Sequence, residues 1–112
     1  MTYDKKNNVF NEMKEYLDHF IHERNWDKYR TPKNLSMALA VEVSELMEIF
    51  QWIDGDESKR ITNDPQKKEE IEGELADILS YLVQLAGMLK IDLYEAFWKK
   101  TTKNEQKHLI KT

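Results

Sequence analysis

Two stretches of this chain place acids where apolar side chains are expected. In Leu39-Ala40-Val41-Glu42-Val43-Ser44-Glu45-Leu46, Glu42 follows Leu39 by three residues and precedes Leu46 by four. On a helix it therefore points the same way as both leucines. Glu45 is its neighbour one turn on. In Gly73-Glu74-Leu75-Ala76-Asp77-Ile78-Leu79 the spacing recurs, with Glu74 and Asp77 at the edge of the Leu75–Ile78 stripe. A lone inward carboxylate is costly and tends to take up a proton. Two acids one turn apart repel. Four acids facing one another from two helices make sense if a hard divalent cation sits between them. Magnesium takes oxygen ligands, and it commonly combines one or two carboxylates with substrate phosphates and water.

Other readings compete. E-x-x-E or E-x-x-D on a charged helix is most often a solvated face. Glu48 extends the first pair by a turn, as a further ligand, a water-orienting base or a plain surface acid. A ferritin-like di-iron centre needs Glu-x-x-His twice, and neither acid pair is followed by histidine in that way. His19 and His22, with Glu15 and Glu23 nearby, have ligand chemistry for zinc, but they straddle the polar side of their segment.

Helices must carry these groups. Val9, Phe10, Met13, Leu17, Phe20 and Ile21 recur at helical spacing and predict a first helix over 9–23. Pro32 disfavours helix at Thr31, so 24–34 is expected to be a loop, with Asn34 or Ser36 capping a second helix that runs to about Ile53. Its stripe is Leu35, Leu39, Glu42, Leu46, Ile49 or Phe50, and Ile53. The polar stretch 54–64 is expected to be a surface linker. Asp64-Pro65 starts a third helix reaching about Lys90, with Ile71, Leu75, Ile78, Leu82, Leu85 and Leu89 as its stripe. Asp92 caps a fourth, from Leu93 to about His108. No segment alternates with period two for long enough to form a strand. The expected fold is all-α: a four-helix bundle-like protomer, one domain over 1–112.

Bulk properties agree. The chain is 40% hydrophobic and 34% charged, with 3 Gly, 2 Pro and a net charge of −4. That balance argues against a nucleic-acid polymer as partner. There is no cysteine, hence neither disulfide nor thiolate chemistry, which suits the cytoplasm. No apolar stretch is long enough to span a membrane.

With both acid pairs in place, the sequence resembles the MazG-like all-α nucleoside triphosphate pyrophosphohydrolases, in particular the dCTP pyrophosphatase-type branch. The likeness rests on residues 23–52 (ERNWDKYRTPKNLSMALAVEVSELMEIFQW), 72–86 (EGELADILSYLVQLA) and 99–108 (KKTTKNEQKH). It implies that Glu42, Glu45, Glu74 and Asp77 bind Mg2+. It implies that Trp26, Trp52 and Tyr81 line a base pocket; stacking a base on indole is chemically reasonable in itself. Lys100, Asn104 and Lys107, on one face of the last helix, are implied to meet phosphate or sugar. The chain departs from the family pattern at His108 and Leu109, where Tyr-Pro is common, and at Arg30, where His is frequent.

The reaction so implied is hydrolysis of a nucleoside triphosphate, a pyrimidine dNTP such as dCTP, to monophosphate and pyrophosphate. Glu45 or Glu48 would take the water proton, and Lys100 and Lys107 would neutralise the leaving group. Met37, Met47, Phe50, Phe97 and Trp98 cannot all be covered within 112 residues, so a homo-oligomer is expected, a tetramer built as a dimer of dimers or a dimer. The alternatives are a non-catalytic helical oligomerisation module and a nucleotide-binding sensor.

Overall fold

In the computed structural model, residues 9–109 are described. They form four long helices and one short one: α1 (Val9–Glu23), α2 (Pro32–Phe50), α3 (Gly55–Lys59), α4 (Pro65–Met88) and α5 (Leu93–Lys107). Two 3-10 turns, Asp27–Tyr29 and Ile61–Asn63, lie in the connections. No strand occurs among the described residues, so the fold is all-α.

Helix starts follow from side-chain capping. Asp64 Oδ1 accepts from the backbone N–H of Gln66 at 3.0 Å, with Pro65 in the first helical position. Asp92 Oδ1 accepts from Glu95 N at 2.9 Å. The α2 cap differs from expectation. Thr31, not Asn34 or Ser36, closes it: Thr31 Oγ1 accepts from Asn34 N at 3.1 Å. The extended backbone that Pro32 imposes on Thr31 (φ −125°, ψ 156°) is the conformation an N-cap needs. The polar stretch after α2 also differs from a plain linker. Asp54 Oδ1 accepts from Glu57 N at 2.8 Å and starts α3, a helix too short to display hydrophobic periodicity.

Helix ends use left-handed residues. Asn25 (φ 57°) follows α1 and Lys90 (φ 56°) follows α4. At each, two backbone bonds wrap the last turn: Asn25 N to His22 O and Trp26 N to Ile21 O, both 3.1 Å, and Lys90 N to Gly87 O at 3.2 Å with Ile91 N to Ala86 O at 2.9 Å. This is the Schellman arrangement.

The tertiary structure is centred on α4, which packs against α2 and, less extensively, α1. Gly87 lets α1 approach: a Cβ there would come within 2.6 Å of the Lys14 side chain. The buried core is small: Ile21, Leu35, Ile71, Val83 and Ala86, with Gln84 the one buried polar residue among those described. The α2 stripe holds as expected, buried or half-buried from Leu35 to Ile53. On α4 the expected stripe is only half covered. Ile71, Ile78 and Leu85 are buried or half-buried, whereas Leu75, Leu82 and Leu89 are exposed. Helix α5 buries none of its residues.

Two global quantities match that sparse interior. The chain exposes 9259 Å², where a compact monomer of 13.4 kDa exposes about 6,500 Å². Its Cα radius of gyration is 17.3 Å, against about 13 Å for a compact domain of this length.

Candidate functional site

The α2–α4 contact brings the acids together. Glu42 and Glu45 on α2 and Glu74 on α4 each offer a carboxylate oxygen, and these atoms all lie within 4.8 Å of one another. Glu42 and Glu74 are half-buried and Glu45 is exposed. One oxygen of Glu42 and one of Glu74, both Oε2, are buried without a hydrogen-bond partner. The proximity shows in the protonation equilibria. A hydrogen bond with Glu74, then burial, then the charges of Glu74 and Asp77 hold the Glu42 carboxyl above its ordinary value. The charge of Glu42 does the same to Glu45, with Glu48 adding to it. Carboxylates that crowd and turn unpartnered oxygens inward form a hard, anionic donor set, which fits Mg2+. Asp77 is exposed and stands outside the tightest cluster, although its charge reaches Glu42. The histidines do not contribute. His19 Nε2 pairs with Glu23 at 2.6 Å and His22 Nδ1 with Asp27 at 3.2 Å, all well exposed.

Beside the acids lies a cavity of about 370 Å³ between α1, the first 3-10 turn, α2 and α4. Phe20, Trp26, Tyr29 and Tyr81 give it aromatic walls, and Asp77 joins it to the acidic cluster. Trp26 is placed by the Schellman turn ending α1 and stands edge-on to Phe20 with ring centroids 5.9 Å apart. Tyr81 comes from α4, one turn beyond Asp77. Four polar residues that the sequence did not single out as ligands also line the cavity: Arg30, Asn34, Ser80 and Gln84. Arg30 Nη2 pairs with Asp18 at 2.7 Å, leaving its buried Nε without a partner. Asn34 Nδ2 donates to Tyr29 O at 2.9 Å. For Gln84 the available signal was its position three residues after Tyr81, hence on the same helix face.

The remaining expected residues are not gathered here within one protomer. Trp52, 88% exposed, follows α2 away from the cavity. Lys100, Asn104 and Lys107 are exposed on α5 and belong neither to the cavity lining nor to the acidic cluster. Glu48 is exposed one turn beyond Glu45.

Comparison with known proteins decides the family. Residues 37–112 match the MazG-like family. The chain belongs to that family. A dCTP pyrophosphatase 1 from Bos taurus is 38% identical over 91 residues, 81% of this chain and 54% of that protein. The Homo sapiens dCTP pyrophosphatase 1 is 37% identical over 89 residues, 80% of this chain and 52% of its own length. The chain thus spans about half the length of these curated relatives. A crystal structure of a pyrophosphatase from Archaeoglobus fulgidus aligns with a TM-score of 0.85 at 37% identity, covering 97% of this chain and all of the other.

Proposed function

We propose that this MazG-like chain is a Mg2+-dependent nucleotide pyrophosphohydrolase that converts a pyrimidine deoxynucleoside triphosphate, such as dCTP, to the monophosphate and pyrophosphate. One observation carries the reading: Glu42, Glu45 and Glu74 converge with two buried, unpartnered oxygens beside an aromatic cavity that Asp77 shares. The names of the relatives support the nucleotide and the reaction.

Bound between these acids, magnesium would supply the positive charge that screens the triphosphate, polarises a phosphoryl oxygen and acidifies a water. Glu42, Glu45, Glu74 and Asp77 would hold the ion. Trp26 and Tyr81 stack the base, and Asp77 links the base end of the site to the phosphate end. Glu48, or Glu45 when not committed to metal, accepts the proton of the attacking water. Water adds at the α-phosphorus and the α–β anhydride bond breaks, leaving pyrophosphate to be neutralised by cations.

Those cations are Lys100 and Lys107, with Asn104 beside them, and we assign them to a site completed across subunits. Within the protomer no residue of α5 is fully buried. The surface excess of about 2,800 Å² exceeds the roughly 1,000–2,500 Å² that each partner gives to an obligate interface. Leu75, Leu82 and Leu89, exposed at 52%, 37% and 49%, recur every seven residues on α4 and alternate with Ile71, Ile78 and Leu85, the pattern of a helix–helix seam. A homo-oligomer, a dimer or a dimer of dimers, covers that seam and brings Trp52 and α5 to a neighbour's cavity. No described helix is long and apolar enough to cross a membrane, and a cysteine-free chain accords with the reducing cytoplasm.

Pyrophosphate release, followed over the common dNTPs and NTPs with and without MgCl2, tests the reading. Turnover is expected only with the metal, falling on the order of 100-fold or more in Glu42→Gln and Asp77→Asn. Full turnover in both variants defeats the site. A purely structural oligomerisation module would neither release pyrophosphate nor gain melting temperature from MgCl2.

A further inference from the structure

Gln84 is 5% exposed and lines the aromatic cavity. An amide is costly to bury unless its donors and acceptor are used. Here Nε2 donates to Ser80 Oγ at 3.2 Å, one turn back on the same helix, and no described residue donates to Oε1. Among the polar residues of the cavity wall, Arg30 is paired with Asp18 and Asn34 donates to the Tyr29 carbonyl, and a carboxamide at position 84 adds little to packing that methionine or leucine would not supply. Its distinctive property is the acceptor left over with Nε2 engaged by the Ser80 hydroxyl.

We propose that Gln84 is the specificity-determining residue of the base cavity, its Oε1 accepting from the exocyclic amino group of a cytosine stacked between Trp26 and Tyr81. The inference rests on the nucleotide reading above. A 4-amino pyrimidine offers a donor at the position where a 4-keto pyrimidine offers an oxygen. Uracil and thymine would set that oxygen against Oε1, and two acceptors face to face leave both unpaired. A site built to satisfy a buried hydrogen bond rejects the analogue that lacks it far more strongly than an apolar pocket does.

The test compares dCTP, dUTP and the deoxynucleoside triphosphate of 2-pyrimidinone, which lacks the 4-substituent, on the wild type and Gln84→Met. Wild-type kcat/KM for dCTP is expected to exceed the other two by about tenfold or more. Gln84→Met, of similar volume, should bring all three within about threefold, chiefly through KM for dCTP, with an unchanged response of melting temperature to MgCl2. A wild type indifferent to the amino group overturns the proposal, and so does a Met variant that keeps the wild-type ratio. The 2-pyrimidinone comparison needs only the native chain, so it decides the matter even where Gln84→Met does not fold. Should no triphosphate release pyrophosphate, dCMP and dUMP binding followed by tryptophan fluorescence separates the claims. A preference for dCMP lost in Gln84→Met supports base reading without hydrolysis; no preference overturns both.

Discussion

With Glu74 and Glu45 both in reach, ionised Glu42 raises the energy of the folded chain at neutral pH. The carboxyls of Glu42 and Glu45 are both held above their ordinary value of 4.5. The folded chain thus binds more protons than the unfolded one, and stability falls as pH climbs from about 4.5 through the raised values. Asp18 acts in the opposite sense. Burial pushes its carboxyl up, but hydrogen bonds from Lys14 and Arg30 outweigh burial and hold it below 3.8. Its contribution is present above that pH and is lost as pH falls through the lowered value. In EDTA, calorimetry between pH 4.5 and 8 is therefore expected to show a melting temperature that declines toward alkaline pH. Excess MgCl2 should remove that decline. Glu42→Gln, which deletes a crowded charge, should melt above the wild type in EDTA at pH 7.5 while losing the gain from MgCl2. A variant that melts lower in EDTA would contradict the crowding. The acids were legible because Glu42 interrupts an apolar line and the same three-residue acid spacing recurs beside a second one. Gln84 was not legible, because an uncharged amide within Tyr-Leu-Val-Gln-Leu-Ala looks like any tolerated surface residue until the fold buries it.

The helices show where local chemistry suffices and where it does not. Bounds of α1, α4 and α5 follow from apolar spacing and Asp caps within a residue or two. Thr31 caps α2 because Pro32, which breaks a helix from within, is also the favoured first residue of one. The α4 stripe departs from expectation for a different reason. Periodicity identifies an apolar face but does not say whether the same chain or another copy covers it, so Leu75, Leu82 and Leu89 read as core. Lys90 carries a left-handed backbone (φ 56°) that costs a non-glycine residue about 1 kcal/mol. Lys90→Gly is expected to stabilise by about that much, raising the melting temperature by about 4 °C. Asp64→Ala, which frees the Gln66 and Lys67 amides, should destabilise by about 1 kcal/mol in chemical denaturation. No change in either would mean that these helix ends are held by tertiary packing alone.

At the scale of the molecule, the described core is too small for the chain around it. The largest exposed apolar groups include Trp52 at 88%, Met47 at 62% and Phe97 at 60%, and the chain's exposure exceeds that of a compact monomer by about 2,800 Å². Light scattering on the size-exclusion peak should give a mass of two or four chains at micromolar concentration; a stable monomer would refute the shared site. Leu82→Glu, which sets a charge in the proposed seam, should shift the species toward smaller mass and cut specific activity together. Among the described residues, no side chain is less than 2% exposed, and this has a kinetic corollary. A protomer without a finished interior has little to hold it together alone, so in the proposed oligomer folding and association would form one equilibrium. Activity per chain should then stay constant above the dissociation range and fall on dilution below it, making catalytic output rise more steeply than expression level.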